Sequence, residues 1–258
     1  MSDALSIAAS GLKSEEYLID KIANDLANLN TPNYKASRLT FEDVLYQNIN
    51  GDNPLLNNQS SAKLGLGTAV SKSGKDFSAG PLKATNNWND VAINGVGFFQ
   101  VVNQDGSIAY TRNSTLSIDN DHYLTTQDGL RLADNIQIPD DFTKLTIQAN
   151  GDIEVILSDD PEPQLIGSIQ LAKFMNPESL DPIGAGIYIP TDKSGDPLTD
   201  IPGSSGLGSL AQHQIEGSNV DMVNSLMQLT MAQRVYQLNA KAVQIADELE
   251  KLTNEIRN

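Results

Sequence analysis

The sequence predicts an α+β protein: N- and C-terminal coiled-coil helices packed together, an all-β antiparallel middle domain, and an extended arm. Three observations carry this. Met231, Val235, Leu238, Ala242, Ile245, Leu249, Leu252 and Ile256 are spaced 4, 3, 4, 3, 4, 3, 4, the two-in-seven seam of a coiled coil. Leu5, Ala8, Leu12, Ile19, Ile22, Leu26 and Leu29 repeat the pattern at the other end, with Glu15 the one polar residue in their seam. Between the two ends, Asn94-Gly95, Asp105-Gly106, Asp128-Gly129 and Asn150-Gly151 punctuate short β-prone runs. Asx-Gly pairs suit the positive backbone torsions of tight hairpins. A helix packed on a globular core usually shows a wider apolar face than these seams. Each seam therefore needs a partner helix, and together they form the candidate assembly interface.

The elements follow in order. Residues 1–35 form the N-terminal helix segment, with the helix itself over about Asp3–Leu29. Asn30-Thr31-Pro32-Asn33 ends it, because Pro32 biases Thr31 away from helical torsions and Asn33 tolerates a left-handed turn. Residues 36–75 are linker and arm. Phe41 to Leu45 is expected to add a short helical turn, and Tyr46 to Lys63, rich in Asn, Gly, Ser and Gln around Pro54, to form the arm. Residues 76–217 are the β-rich outer domain, with strands expected over Gly97–Val102, Ile108–Arg112, Leu116–Ile118, Tyr123–Thr126, Leu145–Gln148, Ile153–Leu157 and Ile166–Phe174. Residues 176–210 read as a Pro-, Gly- and Ser-rich return path with short strands such as Gly186–Ile189. Residues 218–258 are the C-terminal helix. Ser218 is its expected cap, accepting from the Asp221 N–H while Asp221 reaches back. At ~1.5 Å per residue the helix spans roughly 55 Å, about three times a typical globular helix. That length favours assembly over a compact monomer.

The bulk numbers exclude several classes. The chain has 258 residues, enough to bury a sizeable core, and no cysteine. Disulfide scaffolds and thiolate chemistry are ruled out. Asp3, Glu15, Glu16 and Asp20 stand where a secretory signal would be basic and then apolar, so any residence outside the cytosol is expected to use another export route. Net charge is −16, and residues 31–217 hold 23 acidic against 11 basic side chains. Such a surface repels phosphate backbones, so no nucleic-acid partner is expected.

Candidate chemistry is thin. His122 and His213 have no ligand partner at helical spacing. Asp119-Asn120-Asp121 lacks the twelfth-position Glu of a calcium loop. Asp140-Asp141 and Asp159-Asp160 flank turns and read as solvated carboxylates rather than a glycosidase pair. Gly65-Leu66-Gly67 lacks a third glycine, and Gly203 to Gly208 lacks the lysine of a phosphate loop. No catalytic, cofactor-binding or metal residue is assigned, and no cofactor is expected. The competing class is an exported enzyme or sugar-binding β domain on coiled-coil ends. Trp88 as the single tryptophan supplies a sugar platform poorly.

Several segments carry a family resemblance. Asn24-Asp25-Leu26-Ala27-Asn28-Leu29-Asn30-Thr31-Pro32-Asn33-Tyr34-Lys35 resembles the signature that follows the first helix in bacterial flagellar rod and hook proteins. Asp90 to Phe99, Ala109-Tyr110-Thr111-Arg112, Glu216-Gly217-Ser218-Asn219-Val220-Asp221 and Ala232 to Ala242 are similar to later motifs of that family, in the same order. Phe41 to Gln47, Leu66 to Val70 and Phe174-Met175-Asn176-Pro177 resemble segments of its distal rod subunits; another rod subunit of similar length or a short hook protein is the alternative. Asp25 replaces a family Asn, Asn33 a Gly, and Ser114 and His122 two further glycines. The resemblance implies a homo-oligomeric helical filament whose inner tube is made by the terminal helices. It implies proximal rod proteins, hook protein, and peptidoglycan and outer-membrane rings as partners, and passage through the flagellar type III export apparatus into the envelope. It also implies a stiffening role for the arm.

Overall fold

The computed structural model describes residues 2–44, 46–48, 63–65, 67–103 and 105–257. They divide into two compact units. The helix unit comprises Met1–Ala27, Ser37–Ser73 and Asp221–Asn258; the β unit comprises Asn28–Ala36 and Gly74–Val220.

In the helix unit, α1 (Ser2–Ala27) and α2 (Met222–Arg257) pack on each other. Gly11 marks a close approach: a Cβ there would lie 3.1 Å from the Asn239 amide nitrogen. Small residues at such points let two helix backbones draw together. The unit also holds β1 (Ser37–Asp43), β2 (Tyr46–Asn48), β3 (Lys63–Gly65) and β4 (Thr68–Lys75). Strand β1 pairs with β4, so the helical turn expected at Phe41 to Leu45 is not found. Arg38, Thr40 and Phe41 favour an extended chain when a partner strand is present, and pairing overrides a weak local preference. Tyr46, Gln47 and Asn48 pair antiparallel with Gly65, Leu64 and Lys63, which joins the two ends of the expected arm. Its residues 49–62 lie outside the described residues.

The ends of the helices follow local chemistry. Asn33 sits at φ 60°, the left-handed torsion expected after the first helix. The C-terminal helix starts at Met222, not at Ser218. Asp221 is its cap: one carboxylate oxygen accepts from the Val223 and Asn224 backbone N–H at 2.9 and 3.1 Å. Ser218 instead closes a tight turn by accepting from Val220 N–H. Asp and Ser are comparable caps; at Asp221 the carboxylate also brings negative charge to the positive helix end.

The β unit runs β5 (Leu82–Ala84), β6 (Val91–Asn94), β7 (Phe98–Val102), β8 (Ile108–Thr111), β9 (Leu116–Ile118), β10 (Leu124–Thr126), β11 (Phe142–Ile147), β12 (Asp152–Leu157), β13 (Gln164–Ser168), β14 (Leu171–Lys173), β15 (Asp181–Gly184), β16 (Ile187–Ile189), β17 (Leu198–Asp200), β18 (Ser209–Gln212) and β19 (Gln214–Glu216). A six-stranded antiparallel sheet, ordered β15-β16-β8-β7-β14-β17, is its largest. Strand side chains alternate between faces, and both faces here are apolar. Phe99, Val101 and Leu171 point into a core with Val91, Leu116, Ile153 and Ile169. Phe98 and Ala172 point into a second core with Tyr110, Phe174, Leu180 and Tyr188. Tyr110 meets Phe174 edge-on at 4.8 Å, and Phe77 meets Phe98 edge-on at 5.0 Å.

The single strand expected over Ile166–Phe174 is two strands. Between them Ile169 donates to Gly151 O and Gln170 donates to the Asp134 carboxylate, which turns the chain out of one ladder and into another. His122 adopts φ 66°, so the turn that the family makes with glycine survives. Asp119 holds it by accepting from Asp121 and Tyr123 N–H.

Asp221→Ala should fray the first turn of α2 and nothing else. Amide hydrogen exchange at Val223 and Asn224 should accelerate about five-fold, the size of one lost cap. Unchanged exchange there would show that Asp221 does not hold the helix start.

Candidate assembly site

The seam residues divide sharply by helix. On α1, Ile22 is fully buried, and Leu5, Ala8, Leu12, Ile19 and Leu26 are half-buried; Leu29, beyond the helix end, is half-buried too. On α2, Met231, Val235, Leu238, Ala242, Ile245, Leu249 and Leu252 are all exposed, Met231 and Leu238 by 67%. The Ile256 side chain lies outside the described ones. The residues of α2 that are covered run on a neighbouring stripe: Leu229, Ala232, Asn239, Val243 and Ala246. Within one chain, α2 therefore packs through a smaller-sided face and leaves the long apolar seam to water. Sequence spacing found the seam but not this second face, whose alanines and asparagine carry a weak apolar signal.

Glu15, the polar break in the α1 seam, is half-buried. Its Oε2 is shut from solvent without a hydrogen-bond partner among the described residues, and burial raises its pKa. Another face of α1, with Ser10, Ser14, Tyr17, Lys21 and Asn24, lines a groove of about 650 Å³ whose other wall is Ser37, Leu39, Thr68, Ala69, Val70 and Ser73.

The β unit contains a site that spacing does not reveal. Lys35, Arg112 and Glu216 meet with side chains 0%, 2% and 1% exposed. Lys35 Nζ donates to Glu216 Oε1 at 2.7 Å and to Ser78 O at 2.7 Å. Arg112 Nε donates to Glu216 Oε2 at 2.9 Å. The remaining guanidinium nitrogens donate to Gly97, Gly95 and Ile93 carbonyls. Gly80 N–H gives Glu216 a third donor. A Cβ on Gly80 would fall 2.1 Å from Gly217 O, so the segments bearing the carboxylate come together backbone to backbone. Beside the trio, Asn219 accepts from Ala36 N–H and donates to Asp76 O and Ser78 O.

Charge and burial compete in this trio. Burial alone would raise the Glu216 pKa; Arg112 and Lys35 outweigh it by charge and hydrogen bonding, and hold the carboxyl below its ordinary range. Burial pulls the Lys35 ammonium down, the Arg112 charge adds to that, and Glu216 opposes both. Burial also pushes the nearby Tyr188 phenol up to about 12. The Arg112 guanidinium lies 6.0 Å from the Phe98 ring, so the trio borders the second aromatic core. One signal could have pointed to it: Lys35, Arg112 and Glu216 are each the charged residue at the edge of a separate family motif.

Of the discounted side chains, only His122 and Asp140 meet, as a single exposed pair. His122 pairs with Asp140 at 2.8 Å, and His213 meets Asn87 O at 3.0 Å. Asp119 and Asp121 are held by Arg131. Asp160 caps its own turn at Glu162 N–H. Among the described residues, no group of three or more His, Asp or Glu is placed to hold a metal. No described helix is long and apolar enough to cross a membrane.

The sequence has counterparts among known proteins. Residues 92–155 match the family described as flagellar hook protein FlgE/F/G D1 domain, and residues 211–256 the flagellar basal body rod FlgEFG protein C-terminal family. The flagellar basal-body rod protein FlgG of Borreliella burgdorferi is 36% identical, with 100% of this chain and 99% of that protein aligned. The chain belongs to the flagellar rod and hook family. FlgG of Caulobacter vibrioides is 34% identical over 99% of both chains. The flagellar hook protein FlgE of Escherichia coli aligns at 33% identity with only 50% of this chain and 29% of its own. The whole-length match is therefore with basal-body rod proteins, and the chain is a structural subunit rather than an enzyme.

Glu216→Gln keeps the shape of the trio and leaves two buried cations without a counter-charge. Denaturant unfolding of the β unit, read from the single tryptophan Trp88, should lose about 3 to 5 kcal/mol. A loss below about 1 kcal/mol would show that the ion trio does not hold the unit. The acid side follows with its sign. The folded-state pKa of Glu216 lies below its ordinary 4.5, so its contribution is complete above pH 4.5 and vanishes as pH falls through the folded-state value. The parent should lose stability below pH 4.5 more steeply than Glu216→Gln.

Proposed function

We propose that this chain is the distal rod subunit of the flagellar basal body, polymerising head-to-tail into a hollow helical drive shaft. The exposed α2 seam carries the proposal. Monomeric soluble proteins rarely leave a long contiguous apolar surface in water, and here Met231, Val235, Leu238, Ile245, Leu249 and Leu252 are all exposed along one helix. Repeated contacts that do not close into a ring generate a filament. The full-length match to rod proteins, against a half-length match to hook protein, supports the rod over the hook. The shaft transmits torque from motor to hook, and its bore passes exported subunits. Proximal rod proteins lie below it, hook protein above it, and the peptidoglycan and outer-membrane rings around it. Export proceeds through the flagellar type III apparatus into the periplasm. Of the fifteen seam positions from Leu5 to Ile256, those exposed on α2 form the interface between copies, with the half-buried α1 positions beside them, while Ile22 is covered within its own chain.

Leu238→Asp tests this. The exposed leucine tolerates a carboxylate in the free chain, while an assembled seam would bury it unpaired at a cost of several kcal/mol per subunit. In flagellated cells dependent on the variant, rods should be missing by electron microscopy, with the Trp88 unfolding midpoint of the soluble protein unchanged. Normal rods would remove the α2 seam from the interface.

A further inference from the structure

The groove beside α1 is a docking site whose occupant can be read from charge. Along α1 it extends from Ser10 to Asn24, about 21 Å at ~1.5 Å per residue, or four helical turns. Its floor is apolar, formed by Leu39, Ala69 and Val70 together with the Tyr17 ring, which is 47% exposed. Its charged residues, Lys13 and Lys21, are both basic. Lys13 leans over the Tyr17 ring at 6.0 Å. Asp25 takes one donor of Lys21 at 3.0 Å, and an ammonium has three. The groove is as long as a four-turn helix segment and needs one with an apolar stripe and acidic flanks.

α2 has one such segment. In its first half, the exposed Met231, Val235 and Leu238 are flanked by Arg234 and Lys241, which the groove's lysines repel. In its second half, the exposed Ile245 and Leu252 are flanked by Glu248 and Glu255. Asp247 is already matched by Lys251 at 2.7 Å. Glu248 and Glu255 stand about 10 Å apart along the axis, and Lys13 and Lys21 about 12 Å. Leu252 falls midway between the two acids, as Tyr17 falls midway between the two lysines.

We infer that the α1 groove of one copy receives the C-terminal half of α2 from a second copy, with Leu252 opposite Tyr17 and Glu248 and Glu255 facing the two lysines. The inference rests on the rod reading and gives it a register. It divides the α2 seam by charge: the basic first half is excluded from this groove, and the acidic second half fills it.

The absence of cysteine makes a direct test available. One copy carries Tyr17→Cys, and a second, size-tagged copy carries Leu252→Cys; both are expressed together in flagellated cells, and the isolated rods are oxidised. A disulfide forms only when the two Cα atoms come within about 7 Å, and with one cysteine per chain any heterodimer must join two copies. The expected result is a covalent heterodimer on a non-reducing gel, with little when Leu238→Cys replaces Leu252→Cys. Lys13→Glu should raise the subunit level needed for rod formation roughly five-fold, and Glu248→Lys in the same chain should restore it. Rods of normal length without the heterodimer overturn the groove assignment and leave the rod reading standing, as does equal cross-linking through Leu238→Cys. Failure of the unaltered chain to enter rods overturns both.

Discussion

Two cations and a carboxylate withdrawn from water impose a condition that the β unit meets only with chain from distant places. Lys35 comes from the segment after α1, Arg112 from the end of β8, and Glu216 from the end of β19. Removing Glu216 leaves two buried cations unmatched, which is far costlier than never burying them. The backbone around them is built to the same end. Gly80 lets two main chains touch, four carbonyls take the spare donors, and Asn219 ties Ala36 to the Asp76 and Ser78 carbonyls. The sheets and aromatic core supply the bulk of the burial, while the trio decides which segments must be present for that burial to be complete.

The helix unit works on another principle. On α2 the covered side chains are mostly modest, Asn239 against Gly11 and the half-buried Val243 and Ala246, whereas α1 has the large Ile22 fully buried. The larger apolar side chains of α2 are left outside. A helix pair that spent its leucines on itself would be a better monomer and a poorer building block. The division between the two stripes pairs the helices through one face of α2 and leaves the larger side chains of the other exposed.

The sequence made much of this legible because periodicity survives tertiary context when it is long. Both helices, most of the strands between Phe98 and Leu157, and the left-handed turn at Asn33 follow directly from spacing and turn chemistry. What spacing missed depends on partners far along the chain. Residues Ser37–Asp43 carry no strong strand pattern and become a strand because Thr68–Lys75 lies beside them. The helix starts after Asp221, whose carboxylate takes the Val223 and Asn224 amides, while Ser218 is engaged by Val220 N–H in the turn before it. The exposed apolar seam was legible on α2, where its residues are large. The packing stripe was not, since alanine and asparagine at heptad spacing look like surface. The ion trio was invisible to any local window, as its members are separated by 77 and 104 residues along the chain.

The bond between Lys35 and Glu216 spans 181 residues, and that number fixes an order of events. A polypeptide made from its N-terminus holds Lys35 and Arg112 long before it holds Glu216. Until the carboxylate arrives, both cations are better off hydrated, and the pocket that will enclose them stays open. Closing so long a loop is also slow, because the entropy is lost before the contact rewards it. The middle of the chain thus stays open for nearly the whole of its synthesis, and its buried charges close over one another only when its last strand has been made.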